Sequence, residues 1–459
     1  MKHLVVTAVL IVGMAGWTSA QTIAPDVFSR GVPSGTASAT PLPLSLRDAI
    51  ARGLEHNLGA LIQEQRVQSA ESGRWRALSD LLPHVSANVR ETHQIVNAAA
   101  YGFTGFPGLP ELIGPYSVFD ARLGVSTPVL DLSALNQLRA DRANVQAAGH
   151  DYRQARELVV LVVANLYLEI LSESARAESA RAQARTAETF LQLTEDQKAA
   201  GIVAGIDVLR QQVQRDGARQ RVIVAENSVQ TLELKLARAI GLPAGQAVTL
   251  SDPMPSAAAP SLTLEEATRQ AYEARDDLKA AEARAAAARA AKQSALASAL
   301  PSVHVDADYG ALGPSASDTR WTYGVAANVH VPVFEGGRVK ARVLGADAEL
   351  RQREAELADL RAGVQYEISA ALLTLKATSA AVEVARSGQA LAQQTLDQAQ
   401  DRFRAGLTNT LELAQAQDAL AGASDRFVES LYAHNLAKAS LGHALGLVEE
   451  RFSEFVGGR

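Results

Sequence analysis

Two runs of 66 residues, 134–199 and 338–403, contain no proline and are rich in alanine. At 1.5 Å of rise per residue, a continuous helix over either run would extend about 100 Å. Few globular domains are that wide, so the runs restrict the chain to an elongated, mainly helical architecture. In the second run Leu350, Leu357, Leu360, Val364, Ile368, Ala371, Leu375 and Val382 recur at steps of three, four and seven. That is the spacing of a coiled-coil seam. Alanines at other seam positions let a second helix approach closely, while Arg, Glu, Gln and Asp occupy the opposite faces, as on a solvated surface. Both runs stop at an Ala-Gly pair, Ala200-Gly201 and Ala405-Gly406, because glycine accepts the left-handed backbone that ends a helix. An acid then stands near the start of each returning helix, Asp207 and Glu412, where the helix dipole favours negative charge. The returning helices, 207–240 and 412–445, are about half as long. Each long helix is therefore expected to pair with its return helix near the tip and with the Leu44 or Leu262 helix at the other end.

The two tips lie 205 positions apart, as do Ile240-Gly241-Leu242 and Leu445-Gly446-Leu447. Leu44-Ser45-Leu46-Arg47-Asp48-Ala49 matches Leu262-Thr263-Leu264-Glu265-Glu266-Ala267 at an offset of 218, with Ser45 and Thr263 in N-cap positions. Leu82-Pro83 matches Leu300-Pro301 at that same offset, and Val125–Val129 matches Val329–Val333 at 204. Chance likeness between alanine-rich helices would not repeat prolines and glycines in one order, so the chain reads as one unit built twice. The drop from 218 to 204 places 14 extra residues in the first copy, around Ala98–Pro115, as a loop between strands. The expected division is a signal peptide at 1–20, an extended and loosely held leader at 21–43, a first repeat at 44–242, a linker at 243–261, a second repeat at 262–447 and a tail at 448–459. The first helix is expected to run unbroken from Leu44 to about Asp80.

The segments after the two Leu-Pro pairs alternate with period two. Val303, Val305, Ala307 and Tyr309 alternate with His304, Asp306 and Asp308; Trp321, Tyr323, Val325, Ala327 and Val329 alternate with Thr322, Gly324, Asn328 and His330. Val85, Ala87 and Val89, and Phe119, Ala121, Leu123 and Val125, do likewise in the first copy. Such strands have one apolar and one polar face. A soluble sheet would share the pattern, but no helix remains to cover the apolar face, and Tyr309, Trp321 and Tyr323 are expected near strand ends, as interfacial aromatics. Four strands cannot close a barrel, and lipid does not tolerate an open edge, so several chains would have to share one wall.

The formal charge of -6 leaves no basic footprint for nucleic acid. The absence of cysteine removes disulfides, thiolate chemistry and a lipid anchor on an N-terminal cysteine. Lys2 and His3 before the apolar run 4–14, with Thr18-Ser19-Ala20 after it, have the make-up of a cleaved export signal. No later stretch reads as a membrane-spanning helix, since Asn165 and Glu169 interrupt the most apolar one. No two histidines stand at helical spacing for a metal, no phosphate-binding Gly-Lys-Ser/Thr follows Gly336-Gly337, and no catalytic motif is present, so neither an enzyme, a cofactor nor a metal site is expected.

The duplicated opener Leu-Ser/Thr-Leu-x-x-Ala, the Leu-Pro before the strands, Val331-Pro332-Val333-Phe334-Glu335-Gly336-Gly337, the two Ala-Gly tips and the two Gly-Leu ends together resemble the TolC-like outer membrane efflux proteins. The resemblance covers nearly all of the mature sequence. It implies a homotrimer with a twelve-stranded outer-membrane β-barrel, and a long α-helical periplasmic tunnel of coiled-coil hairpins gated at its inner end. It also implies a passive exit duct in a tripartite efflux or type I secretion system, with a periplasmic adaptor and an inner-membrane pump as partners. By the same resemblance Glu412 matches an acid of the entrance, and Gln415 replaces a second acid one turn on. Asp207, Glu412 and Gln415 are thus candidates for the periplasmic gate, although an acid in a first helical turn is also plain dipole compensation. Lys198, Ala200, Gly201, Arg404, Ala405 and Gly406 are candidates for the adaptor contact, although they also suffice for helix termination. The competing reading is a periplasmic coiled-coil adaptor or scaffold. An adaptor presents one hairpin with separate β-domains, whereas here two hairpins interleave with strand pairs.

Overall fold

The computed structural model describes residues 25–102, 110–255, 262–405, 407–408 and 410–455. The expected signal segment, Gly406 and parts of the linker and tail lie outside them. The elements in order are β1 (Leu42–Leu44), α1 (Leu46–His56), α2 (Leu58–Ser79), β2 (His84–Asn97), β3 (Leu112–Leu130), α3 (Leu132–Ala199), α4 (Gly205–Ala239), β4 (Val248–Leu250), α5 (Leu264–Ala274), α6 (Asp276–Ala297), β5 (Ser302–Ser315), β6 (Asp318–His330), α7 (Arg338–Arg404), α8 (Thr410–Ala444) and α9 (Phe452–Phe455). Apart from β1, β4 and α9, the order runs through helix pair, strand pair, long helix and return helix twice.

Both long helices are continuous, at 68 and 67 residues, and each return helix has 35. The two copies bury the same stripe. Val159, Val163, Ile170, Ala177 and Leu191 of α3 are buried, and so, 205 positions on, are Val364, Ile368, Leu375, Val382 and Leu396 of α7. The helices also end alike. Ile202 N–H donates to Gln197 O at 2.8 Å and Leu407 N–H to Arg402 O at 2.9 Å; at the far ends Leu242 N–H reaches Ala237 O and Leu447 N–H reaches Gly442 O. Gly201, Gly241 and Gly446 supply the positive φ these caps need.

The helix expected over 44–80 is broken in both repeats. Asn57 (ψ 130°) separates α1 from α2, and Arg275 (ψ 121°), 218 positions later, separates α5 from α6. Ser45 and Thr263 do cap the first members, and the Thr263 N–H donates a reciprocal bond to the Glu266 carboxylate.

Helix pairing departs from expectation in one respect. α2 packs on α3 and α6 on α7 within each repeat, but α6 also packs along α3 of the other repeat. Arg284 pairs with Asp151, and Arg153 with Asp276 at 2.9 Å, across α3 and α6; Lys292 with Asp347 at 2.7 Å and Arg361 with Glu282 at 2.8 Å join α6 to α7. The order across the helical layer is α2, α3, α6, α7. The main core lies where these helices meet the return helices, around Val160, Val163, Tyr167 and Leu168 of α3, Leu236 of α4 and Leu441 of α8.

Nor is the leader loosely held. Gly31 N–H donates to Arg238 O at 2.7 Å, Ser34 N–H to Gly241 O at 3.0 Å and Leu58 N–H to Arg30 O at 2.8 Å. Gly31 lies so close to Gly241 that a Cβ there would stand 2.4 Å from its amide nitrogen. β1 then pairs in parallel with β4, inside the expected linker. The Tyr167 hydroxyl donates to Leu44 O at 3.0 Å and contacts Asp252 at 3.1 Å, fastening this belt to the core.

Candidate functional site

β2, β3, β5 and β6 form one antiparallel sheet in the order β2-β3-β5-β6, with β2 and β6 as open edges. The register sets Val303 beside Val329; Thr127, Val305 and Ala327 on one rung; Val85, Val125, Ala307 and Val325 on the next; then Ala87, Leu123, Tyr309 and Tyr323; then Val89, Ala121, Ala311 and Trp321. Nine residues of strand, eight steps of ~3.4 Å or about 27 Å, thus present an almost wholly apolar face. No helix covers it. Val325 is 72 % exposed and Tyr323 80 %. Tyr309 and Trp321 stack at 5.1 Å between centroids. Tyr309 does not lie at a strand end, being eighth of 14 residues in β5, while Trp321 is fourth of 13 in β6. They mark instead the upper edge of the apolar band, beyond which Glu91 and Gly313 share a rung with Phe119. The opposite face is polar. Arg122 bridges Asp120 at 2.7 Å and Asp308, and Asp306 accepts from Ser126 at 2.5 Å and Asn328 at 2.6 Å. Four strands with two bare edges, one apolar face and one polar face have the pattern that a piece of a membrane barrel wall requires. The strands of the second copy meet in a two-residue turn at Ala316-Ser317, whereas the first copy carries its extra residues between β2 and β3.

The helices also leave apolar surface bare. Tyr366, Leu373, Val384 and Leu391 recur along α7 at steps of seven, eleven and seven, each more than 60 % exposed. The counterpart of Leu373 in α3 is Leu168, fully buried beneath its neighbours. α4 shows a second row, Ile206, Val213, Val224 and Leu234. Both long helices contain an 18-residue window apolar enough by composition to cross a bilayer, contrary to expectation. In α3 the valines of that run are the buried core.

At the tips, Asp207 accepts from Ala204 N–H at 3.3 Å and pairs with Arg210 at 3.3 Å. Glu412 pairs with Arg402 at 3.5 Å and accepts from Thr408. Both gate candidates are thus engaged by a cation of their own hairpin, while Gln415 is exposed one turn beyond Glu412. Lys198 lies against Gly205, its Cε 3.8 Å from where a Cβ would be. Ala200 and Gly201 close the first tip, Arg404 pairs with Asp401 at 3.4 Å, and Ala405 closes α7. Ile202 and Leu407 project from the tips, both 72 % exposed.

Sequence reasoning missed the contact that joins the two hairpins just behind the tips. Phe190 of α3 and Phe403 of α7 meet edge-to-face at 6.4 Å, packed with Leu396, Ala399, Leu413 and Ala416. The signal was available, because Leu396 and Phe403 continue the steps of seven past Val382. Between this clasp and the main core the hairpins enclose a cavity of about 490 Å³, lined by Gln183, Gln214, Gln389, Gln393, Gln400 and Gln417 among others.

At the far ends of the return helices, beside the middle of α3 and α7, a charged cluster ties the repeats together. Arg275 bonds Asp277 and Glu367, both at 2.6 Å, and Arg156 bonds Glu449 at 2.6 Å. Glu157 is buried beside Asp276, Glu449 and Asp277. Burial first, and those carboxylates second, push its carboxyl up to about 8. His443, 4.0 Å away, is held below the usual imidazole range chiefly by burial, so the two meet as neutral groups at pH 7. Among the described residues no group of three or more His, Cys, Asp or Glu is placed to hold a metal ion.

The sequence profile of the outer membrane efflux protein family matches residues 52–242 and 267–447. The pyoverdine export outer membrane protein OpmQ of Pseudomonas aeruginosa is 26% identical over 405 residues, covering 85% of this chain and 82% of the relative. The probable efflux pump outer membrane protein TtgC of Pseudomonas putida is 25% identical over 411 residues, covering 85% and 78%. Among solved structures, the outer membrane protein VceC of Vibrio cholerae superposes with a TM-score of 0.76 at 20% identity, over 87% of this chain and 96% of that one. CusC gives 0.73 at 20% identity, over 90% and 99%.

Proposed function

The chain belongs to the outer membrane efflux protein family, and from that premise we propose that three copies close into one passive duct, docked to a periplasmic adaptor and an inner-membrane pump. As an efflux channel of the outer membrane it conducts and gates, and its partners supply the energy. One observation carries the trimer: Leu373 in the exposed apolar row of α7 is 70 % exposed, whereas its counterpart Leu168 in α3 is fully buried. α3 is covered by α6 and α8. The corresponding partners of α7 would be α2 and α4 of the next copy, and α7 and α4 are the helices with exposed apolar rows. The open edge of β6 would likewise meet β2 of the next copy, as β3 meets β5 within the chain. Two copies would give eight strands, whose interior side chains fill. Three give twelve, with a circumference of about 75 Å at ~4.8 Å spacing and ~40° tilt. That leaves an aqueous lumen suited to the polar face.

The tips are the parts free to meet partners. Ile202 and Leu407, flanked by Lys198, Ala200, Gly201, Arg404, Ala405 and Gly406, would receive the adaptor. Asp207, Glu412 and Gln415 would line the mouth. The ion pairs made by both acids favour charge compensation in the resting state over a strong cation ring. The reading of a periplasmic adaptor fails on the uncovered apolar sheet, which such a protein would have to expose to water. Outer-membrane fractionation with cross-linking tests the proposal. Trimers extracted only by detergent, and conducting in planar bilayers, are expected; a buffer-soluble monomer would overturn it.

A further inference from the structure

We propose that Arg66 of α2 pairs with Glu356 of α7 in the next copy, which closes a ring of alternating charge, Arg66, Asp151, Arg284, Glu356, around the helical tunnel. The inference rests on the three-copy duct proposed above and adds the register in which its copies meet. It comes from a seam that one chain already contains. Arg284 of α6 crosses to α3 of the other repeat, where its Nη2 donates to Asp151 Oδ1 at 2.6 Å. The counterpart of Arg284, 218 positions earlier, is Arg66, and the counterpart of Asp151, 205 positions later, is Glu356. Both exchanges keep the sign of the charge. α2 and α7 stand at opposite ends of the layer α2, α3, α6, α7, so this second pair joins two chains rather than closing within one.

The two pairs differ as a closed seam differs from an open one. The Asp151 side chain is 23 % exposed within its pair, that of Glu356 is 48 % exposed, and Arg66 is exposed. Glu356 sits among groups that favour its charge: Gln352 foremost, with Arg353 and Arg284 as well, holds its carboxyl below the usual range. Arg284 thus stands between Asp151 and Glu356. By the same offsets Arg66 stands between Asp151 of its own chain and Glu356 of the next. Apolar surface matches alongside. Tyr366 and Leu373 on α7 are exposed where Leu161 and Leu168 on α3 pack in the core, and Leu234 on α4 is exposed where Ala439 on α8, which covers α3, is buried. The other polar contacts between α3 and α6 do not carry over. His150 and Arg153, which bind Asp276, correspond to Ala355 and Ala358, and Asp276 to Leu58; Ser133 and Ser294 correspond to Arg338 and Arg76, with Glu335 bound to Arg338. Among the described residues, Arg284 with Asp151 is the one α3–α6 contact whose counterpart keeps opposite charges. An exposed ion pair adds little stability by itself. Like charges brought face to face are penalised, so the pair selects one register over its neighbours.

The chain has no cysteine, so two introduced thiols report the contact without background. Wild-type trimers in detergent are established first, so failure of the duct reading is seen separately. The double variant Arg66→Cys, Glu356→Cys, treated with a short bismaleimide, is expected to run as covalently linked dimers and trimers on denaturing gels, and each single variant as a monomer. Arg66→Cys combined with Glu349→Cys, two turns or about 10 Å away along α7, should link far less. Charge reversal reads the same contact without thiols. Arg66→Glu and Glu356→Arg should each lower the temperature at which the trimer dissociates, and the double reversal should regain part of that loss. Should the cysteine pair not assemble, the reversal series decides. Given a wild-type trimer, a cysteine pair at 66 and 356 that links no better than the pair at 66 and 349, or a double reversal that regains nothing, overturns the proposal.

Discussion

Asn57 Nδ2 donates to Ala239 O at 3.2 Å, joining the break between α1 and α2 to the last turn of α4. In the second repeat Arg275 Nη1 donates to Ala444 O, also at 3.2 Å, joining the break between α5 and α6 to the last turn of α8. The donors are 218 positions apart and the acceptors 205, the offsets that relate the two repeats. One geometric solution has thus been kept with two chemistries, an amide and a guanidinium.

Replacing Asn57 should be costly. The side chain is fully buried, donates also to Phe28 O at 2.6 Å and accepts from Gly59 N–H at 2.9 Å. Asn57→Ala would strand three backbone groups and should destabilise the fold by about 2–4 kcal/mol. Chemical unfolding of the purified protein would read this directly, with Asn57→Asp as a control that keeps the acceptor.

Glu157 gives the helical end a pH dependence of defined sign. Its folded-state carboxyl lies at about 8 against 4.5. The stability it contributes is therefore complete below about pH 4.5 and is lost as pH rises through 8. Glu157→Gln should flatten the fall in stability between about pH 5 and pH 8.5 and be the more stable form at the alkaline end, by up to a few kcal/mol. His443 works in the opposite sense, since its lowered value withdraws stability as pH falls below the ordinary imidazole range. Thermal melts across pH for the wild type and Glu157→Gln check the slope.

The Phe190–Phe403 contact should hold the tips together. Phe403→Ala removes a buried ring and should weaken the local packing by about 3–5 kcal/mol. Higher single-channel conductance than the wild type is the expected result, with Phe403→Leu intermediate. Equal conductance in all three would remove the clasp from gating.

Adjacent residues of β6 should respond oppositely to the same substitution. Val325 faces the apolar side and Ala326 the polar one. Val325→Arg should cost about 2–4 kcal/mol in the membrane and Ala326→Arg much less. Heat resistance of the trimer on gels compares the two.

The long helices and their tips were legible because they rest on local signals, namely period, glycine and proline. The breaks at Asn57 and Arg275 were not. Arg275 sits in a stretch of good helix formers, and besides the local Asp277 it is held by Glu367 and Ala444 from elsewhere in the fold. Packing of α6 on α3 was equally hidden, since a helix's own periodicity says which face is apolar but not which neighbour covers it. Asp207 and Glu412 were picked out by position; Arg210, the partner of Asp207, stands one turn on in the same helix, whereas the pairing of Glu412 with Arg402 depends on how the chain reverses at the tip. Tyr309 was placed too near a strand end because alternation shows a strand's faces better than its limits.

The parallel pairing of β1 with β4 has a consequence for the order in which this chain assembles. Leu42 finds its strand partner at Val248, so the first strand of the molecule waits until the whole first repeat has crossed into the compartment where it folds. Contacts of such long sequence separation form late. The N-terminal belt is then a completion signal, closing over Tyr167 only after α3 and α4 have paired, and an interrupted or truncated polypeptide would be left unbuckled.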